Sequence, residues 1–130
     1  IYDEWPAVFT ADAHFICRTD TGTTAFEEFV RADVSGRDDV LAWQTQHRKD
    51  SPYPLRHNGT DVHILNATDT TADFRSYIWV TQIVNGSPSP LSTAPVTGSV
   101  RIEDGVLRMA ELIVTLDTED STVIGDRKVF

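Results

Sequence analysis

The sequence predicts an α+β fold in which a cone-shaped, curved antiparallel sheet wraps around N-terminal helices. Three observations predict it. Helical patterning is confined to the first fifty residues, and from Leu55 onward the pattern is that of strands. Turn sequences divide that second part into four consecutive strands, an order that places helices on one face of an antiparallel sheet. The chain has 130 residues, of which 40% are hydrophobic, enough for one domain with a sizeable core. Long twisted strands curling around a few helices form a cone whose mouth can hold a small molecule.

Each element follows in order. Tyr2, Trp5, Val8 and Phe9 fall at helical spacing, and Pro6 is tolerated only near a helix start. The chain opens on Ile1 rather than Met, so this helix is expected to be incomplete. Residues 13–18, with Phe15, Ile16 and Cys17, alternate as a short strand. Residues 20–24 are turn-rich, and 25–30 fit either a short strand or one helical turn. Ser35 is placed as the N-cap of a helix, with Asp38 three residues on and further acidic charge in the first turn. Val40, Leu41, Trp43 and His47 form its apolar stripe. Arg48 and Lys49 close it, and the Ser51–Pro54 stretch stops it. Strands are expected over 55–66, 71–84, 96–103 and 106–117. Between them lie a turn at 66–70, a proline-rich loop from Asn85-Gly86 to Pro95, and an Asp104-Gly105 hairpin turn. Residues 118–130 read as a polar tail of the same single domain, 1–130.

Composition narrows function. Lys plus Arg number 11 against 20 Asp plus Glu, a net charge of −9. No basic cluster offers a surface for nucleic acid, and an acidic protein is a poor match for an anionic membrane. No apolar run reaches the roughly 18 residues of a membrane span, and no leader pattern opens the chain. A cytoplasmic protein is expected, and the three Asn-X-Ser/Thr triplets at Asn58, Asn66 and Asn85 read as chance matches. The lone Cys17 forms no internal disulfide and fits a small buried hydrophobe. No metal site is expected, because the four histidines lack ligand spacing; His57 and His63 share a face on one strand but stand roughly 20 Å apart. Phosphate-binding glycine loops and nucleophile elbows are absent from the sequence.

Five segments in order carry a family resemblance. Phe9-Thr10-Ala11-Asp12-Ala13-His14-Phe15 is similar to an F-x-x-D-A-x-F pattern. Gly36-Arg37-Asp38-Asp39-Val40 is similar to G-R-(D/E)-x-(I/V) at a helix start. Arg56-His57 matches an R-H strand opening. Ala72-Asp73-Phe74-Arg75-Ser76-Tyr77 matches A-x-x-x-S-Y, and Asp104-Gly105-Val106-Leu107-Arg108-Met109-Ala110 matches D-G-x-W-R-I-A, with Leu107 in place of the Trp. Over residues 2–116 the chain resembles the SnoaL-like branch of the nuclear-transport-factor-2-like superfamily. The resemblance implies a cone-shaped pocket. Members include polyketide cyclases, scytalone dehydratase, meroterpenoid isomerases and an epoxide hydrolase; other members only bind or assemble. Fold therefore leaves function open.

The candidate residues follow from both lines. The resemblance puts an acid–base histidine at His57, and an imidazole titrates near neutrality. Asp12 and His14, two apart on a strand, share a face, so the carboxylate is placed to orient the imidazole. The resemblance also implies an aspartate on the first helix. Spacing back from Phe9 puts it slightly before Asp3, so Asp3 replaces it, or the partner lies upstream, or there is none. Tyr53, held between two prolines, and Tyr2 are candidates to hydrogen-bond a substrate carbonyl. Strand parity assigns Phe74, Ser76, Ile78, Val80, Val96, Gly98, Val100 and Ile102 to the pocket together with Leu107, Met109, Glu111 and Ile113; Trp43 joins them from the helix. Glu111 there would be an acid of raised pKa. The inverted parity turns Arg75, Tyr77, Trp79 and Arg108 inward instead.

Two functions of different classes remain. One is a cofactor-free acid–base cyclase, isomerase or dehydratase acting on an apolar oxygenated small molecule. The other is a non-catalytic binding or dimerisation domain, its homodimer formed through the sheet face carrying Tyr77 and Trp79. An epoxide-type hydrolase is a weaker third, since it needs an Asp-Arg-Asp set that the sequence does not place.

Overall fold

A computed structural model describes residues 6–19 and 31–117. Residues 6–8 form one 3-10 turn. β1 (Phe9–Thr19) and β2 (Ala32–Ser35) precede α1 (Arg37–Asp50). β3 (Leu55–Ala67), β4 (Thr71–Val84), β5 (Ser87–Glu103) and β6 (Val106–Leu116) follow. The six strands make one sheet in the order β2-β1-β6-β5-β4-β3. Every pairing is antiparallel except β1 with β6, which is parallel. The α+β expectation holds, with a mixed sheet in place of a wholly antiparallel one. Of the first helix expected over residues 2–9, residues 6–8 form only that 3-10 turn and Phe9 already begins β1, whereas Tyr2, Asp3, the 25–30 segment and 118–130 lie outside the described residues. No described helix is long and apolar enough to cross a membrane.

Local chemistry explains the boundaries. Asn85-Gly86 and Asp104-Gly105 both take positive φ, 51° then 78° in each turn, the geometry of a tight two-residue hairpin. The segment expected as a proline-rich loop is instead the first part of β5. β6 ends at Leu116, close to where Asp117 N–H donates to Thr93 O at 2.9 Å. Among the described residues Pro88 and Pro90 therefore have only β4 beside them, and proline is tolerated along such an edge. α1 begins one residue later than expected. Ser35 still belongs to β2, and Gly36 occupies the N-cap at φ 91° with no side-chain cap. Asp38 and Asp39 in the first turn, and His47, Arg48 and Lys49 in the last, match the helix dipole.

The core lies on the face that α1 covers, here the inner face. Phe15, Cys17, Val96, Val114 and Leu116 are buried there with Val40 of α1. Arg37 Nε donates to Phe9 O at 3.0 Å and anchors the helix start to β1. The Trp43 and Phe15 rings meet at 5.2 Å between centroids. α1 packs on β1 and β2, so among the described residues it covers the inner face of the other strands less. Ile64, Ile102 and Leu107 are exposed.

Register sorts the remaining side chains. Phe74 pairs with Gly98, Ser76 with Val96, Ile78 with Ala94 and Val100 with Met109, so all of these face inward, as the sequence parity expected. Gly98 permits this packing: a Cβ there would lie 2.8 Å from Phe74 Cζ and 2.5 Å from Glu111 O. Two expectations are corrected by bulges. Ser99 pairs with Glu111 but Val100 with Met109, so Ala110 is an extra residue. It turns Glu111 and Ile113 to the outer face. The shift between Thr60 and His63 likewise puts His63 beside Arg75 on the outer face, opposite to His57.

Candidate functional site

The inner face brings four of the named residues onto one surface with His57. His57 pairs with Val80 near the start of β3, which places it on the same face as Ser76, Phe74 and Met109. The end of α1 supplies its neighbours. Trp43 and His47, one helical turn apart, stack with centroids 4.9 Å apart and planes 9° apart. His57 is exposed on this face. Its pKa is pushed down to about 4, first by loss of water around the ring and then by the positive charge of Arg48 and His47. His47 is pushed down as well, by burial first and then by Arg48, with Asp50 opposing. Both effects favour neutral imidazoles at pH 7. Sequence reasoning did not single out His47 as a candidate because it reads as the polar end of a core stripe.

The other candidates separate. Tyr53 is exposed in the α1–β3 connection, where Ser51 Oγ donates to its carbonyl at 2.8 Å. Asp12 does not orient His14. It is bonded to Arg101, and the Thr10 hydroxyl and Arg101 guanidinium hold its carboxyl below the usual range. Arg101 also lies 4.0 Å from Glu103, which is 3.8 Å from Arg108. This carboxylate–guanidinium row sits on the outer face, away from the apolar surface. The carboxylate that meets His14 is Asp33, at 2.6 Å from Nε2, with Glu111 at 3.8 Å from Nδ1. Cys17 is buried, and burial pushes its thiol up to about 11, a poor nucleophile.

Two recesses flank α1. The larger, about 380 Å3, is lined among the described residues by Ala11, Gly36, Arg37, Asp38 and Asp39, none of which carries an imidazole or hydroxyl. The smaller, about 140 Å3, is lined by Trp43, Gln46, His47 and Asp50, with Gln46 Nε2 donating to Asp50 Oδ1 at 2.9 Å. Titratable groups cluster at the smaller one and on the open face beyond it, where His57 stands.

Comparison with known proteins adds a family and a fold. The SnoaL-like domain family matches residues 2–113. No curated protein matches the chain in sequence. Among solved structures, a Catenulispora acidiphila protein in complex with S-DNPA is similar at 21% identity, over 88% of this chain and 78% of that one, with TM-score 0.68. Aln2 from a Streptomyces species is similar at 22% identity over 88% and 75%, TM-score 0.69. The beta subunit of a putative aromatic-ring-hydroxylating dioxygenase from Novosphingobium aromaticivorans is similar at 15% identity over 95% and 80%, TM-score 0.68.

Proposed function

The chain belongs to the SnoaL-like domain family, and from that premise we propose that it is a cofactor-independent acid–base enzyme, a cyclase, isomerase or dehydratase, whose substrate is an apolar oxygenated small molecule. The observation that carries this reading is the placement of His57 on the inner, apolar face, beside His47 and with its pKa lowered to about 4. A neutral imidazole has a lone pair available, and an apolar surface supplies binding area without competing polar groups.

The chemistry follows from that proton acceptor. A ring nitrogen of His57 takes the proton from a carbon beside a substrate carbonyl. The C–H electron pair moves into the carbonyl as an enolate. The low pKa makes His57 a weak base, so the proton best suited to it is an acidic one, between two carbonyls or beside an aromatic ketone. The imidazolium formed is held by the enolate's negative charge and returns the proton readily. It goes to the new alkoxide in a cyclisation, to another carbon in an isomerisation, or to a departing hydroxyl that leaves as water in a dehydration. Ser76 on the same face and Tyr53 in the nearby connection are the groups proposed to hydrogen-bond the substrate oxygen.

The test needs no known substrate. A panel of aromatic 1,3-dicarbonyl compounds is incubated in D2O with the protein, and deuterium uptake is read by mass spectrometry. Wild-type protein is expected to catalyse uptake, and His57→Gln to lose roughly 10²–10⁴-fold of it. Equal uptake with both proteins overturns the reading.

A second reading, a non-catalytic binding and dimerisation domain, is favoured by one observation. Trp79 is 49% exposed on the outer face, the same face as Tyr77, Ile16 and Ile113. We propose that this face forms a homodimer, which is compatible with either function.

A further inference from the structure

Removal of a proton by His57 puts negative charge on the neighbouring carbonyl oxygen of the substrate. That oxygen stands next but one to the carbon losing its proton, so a donor that stabilises it must sit close to His57. Ser76 is on the right face but too far along it. It lies four residues from Val80, the register partner of His57, roughly 13 Å at 3.3 Å per residue. It is placed for an oxygen further along the substrate. Tyr53 is exposed, and a donor open to water contributes less.

The end of α1 supplies a nearer donor. His47 lines the recess of about 140 Å3 with Trp43, Gln46 and Asp50, and its charge reaches His57, so the two imidazoles are neighbours. A recess of that size admits a carbonyl and the atoms beside it, since pockets that enclose a whole drug-sized ligand run from roughly 300 Å3 upward. The rest of the substrate then lies on the apolar face beyond. The His47 ring is fixed by stacking. It lies flat on Trp43, with 4.9 Å between centroids and 9° between planes, and Trp43 is seated against Phe15 of β1 at 5.2 Å. A ring stacked on its face carries both nitrogens on its edge, so its N–H lies in the plane of the ring and not against Trp43. Burial, then Arg48, pushes the pKa of His47 down, with Asp50 opposing. The neutral ring keeps one N–H to donate, and such a donor polarises a carbonyl without protonating it outright.

We propose, resting on the acid–base reaction above, that His47 is a further catalytic residue whose imidazole N–H donates to the substrate oxygen that turns negative as His57 takes the adjacent proton. The C–H pair becomes the new carbon–carbon π bond, the carbonyl π pair moves onto oxygen, and the proton goes to His57. The N–H proton of His47 stays on its nitrogen throughout. Because stacking sets the donor's direction beforehand, little rearrangement is needed as the charge develops.

The test has two readouts: deuterium uptake by the aromatic 1,3-dicarbonyl panel, and binding of 4-nitrophenolate, whose oxygen stands in for the enolate. His47→Phe keeps a flat ring on Trp43 and removes the donor, whereas His47→Gln keeps an N–H. Uptake at saturating substrate is expected to fall roughly 10²–10³-fold in His47→Phe, the usual loss for one oxyanion donor, with KM little changed. His47→Gln should recover most of that loss. 4-Nitrophenolate should bind roughly tenfold more weakly to His47→Phe than to wild type, while uncharged 4-nitroanisole binds both alike. Circular dichroism establishes that the variants fold. Wild-type protein labelled with 15N-histidine needs no variant: the N–H signal of His47 should move downfield on adding 4-nitrophenolate. Uptake lost in His57→Gln but kept in His47→Phe, or a His47 signal indifferent to 4-nitrophenolate, overturns the role of His47 and leaves the acid–base reading standing. Uptake undiminished in His57→Gln overturns that reading and this role with it.

Discussion

His57 couples its surroundings to stability as well as to chemistry. Its folded pKa is about 4 against an ordinary 6.5, so between those values the unfolded chain binds a proton that the folded chain refuses. Stability is therefore unaffected above pH 6.5 and falls as pH drops from 6.5 toward 4. His47, shifted the same way, adds to the slope. Denaturant unfolding across pH 7 to 4 should show a shallower loss in His57→Gln than in wild type; identical slopes would mean that His57 titrates as it does in water. Gly98 is a second single-residue dependence. Its missing side chain is the space that the Phe74 ring fills. Gly98→Ala should cost about 1–3 kcal/mol, the usual range for overpacking, measured as a lower denaturation midpoint at unchanged m-value.

Among elements, the strands are the most legible part of the sequence. Composition and flanking turns bound β4 at 71–84, and the structure gives Thr71–Val84. The Asp104-Gly105 turn is equally readable, because only residues that tolerate positive φ fit there. Gly105→Ala should destabilise the β5–β6 hairpin by about 1 kcal/mol, read from thermal unfolding. The bulges are not legible. Ala110 fits a strand face in either direction, so period-two counting runs through it and assigns Glu111 inward, where pairing puts it outward. The edge beside Pro88 and Pro90 is hidden for a related reason: it depends on where β6 stops, which is not a local property of that segment. The sequence anticipates a carboxylate partner for His14 but assigns it to the wrong residue. Asp33 is nineteen positions away and reaches His14 only through β1–β2 pairing.

At the scale of the molecule, the sheet has two faces with different work. The inner face is apolar and carries His57 at its α1 end. The outer face carries ion pairs, His14 and its carboxylates, and the exposed Trp79. The tie of Tyr77 and Thr93 hydroxyls to Asp117, with Thr93 at 2.7 Å, fixes the end of β6 on that outer side. If the outer face is a dimer interface, Trp79→Ser should shift the protein toward monomer in sedimentation equilibrium; a monomeric wild type would remove that proposal. The whole account rests on the inner face being where a small molecule binds. The measurement that tests this most directly is an NMR titration of the protein with an aromatic 1,3-dicarbonyl ligand, following side-chain signals on both faces. The account predicts shifts at His57, Trp43, Phe74, Ser76 and Met109, with His14, Tyr77 and Trp79 silent. Shifts confined to the outer residues would contradict it.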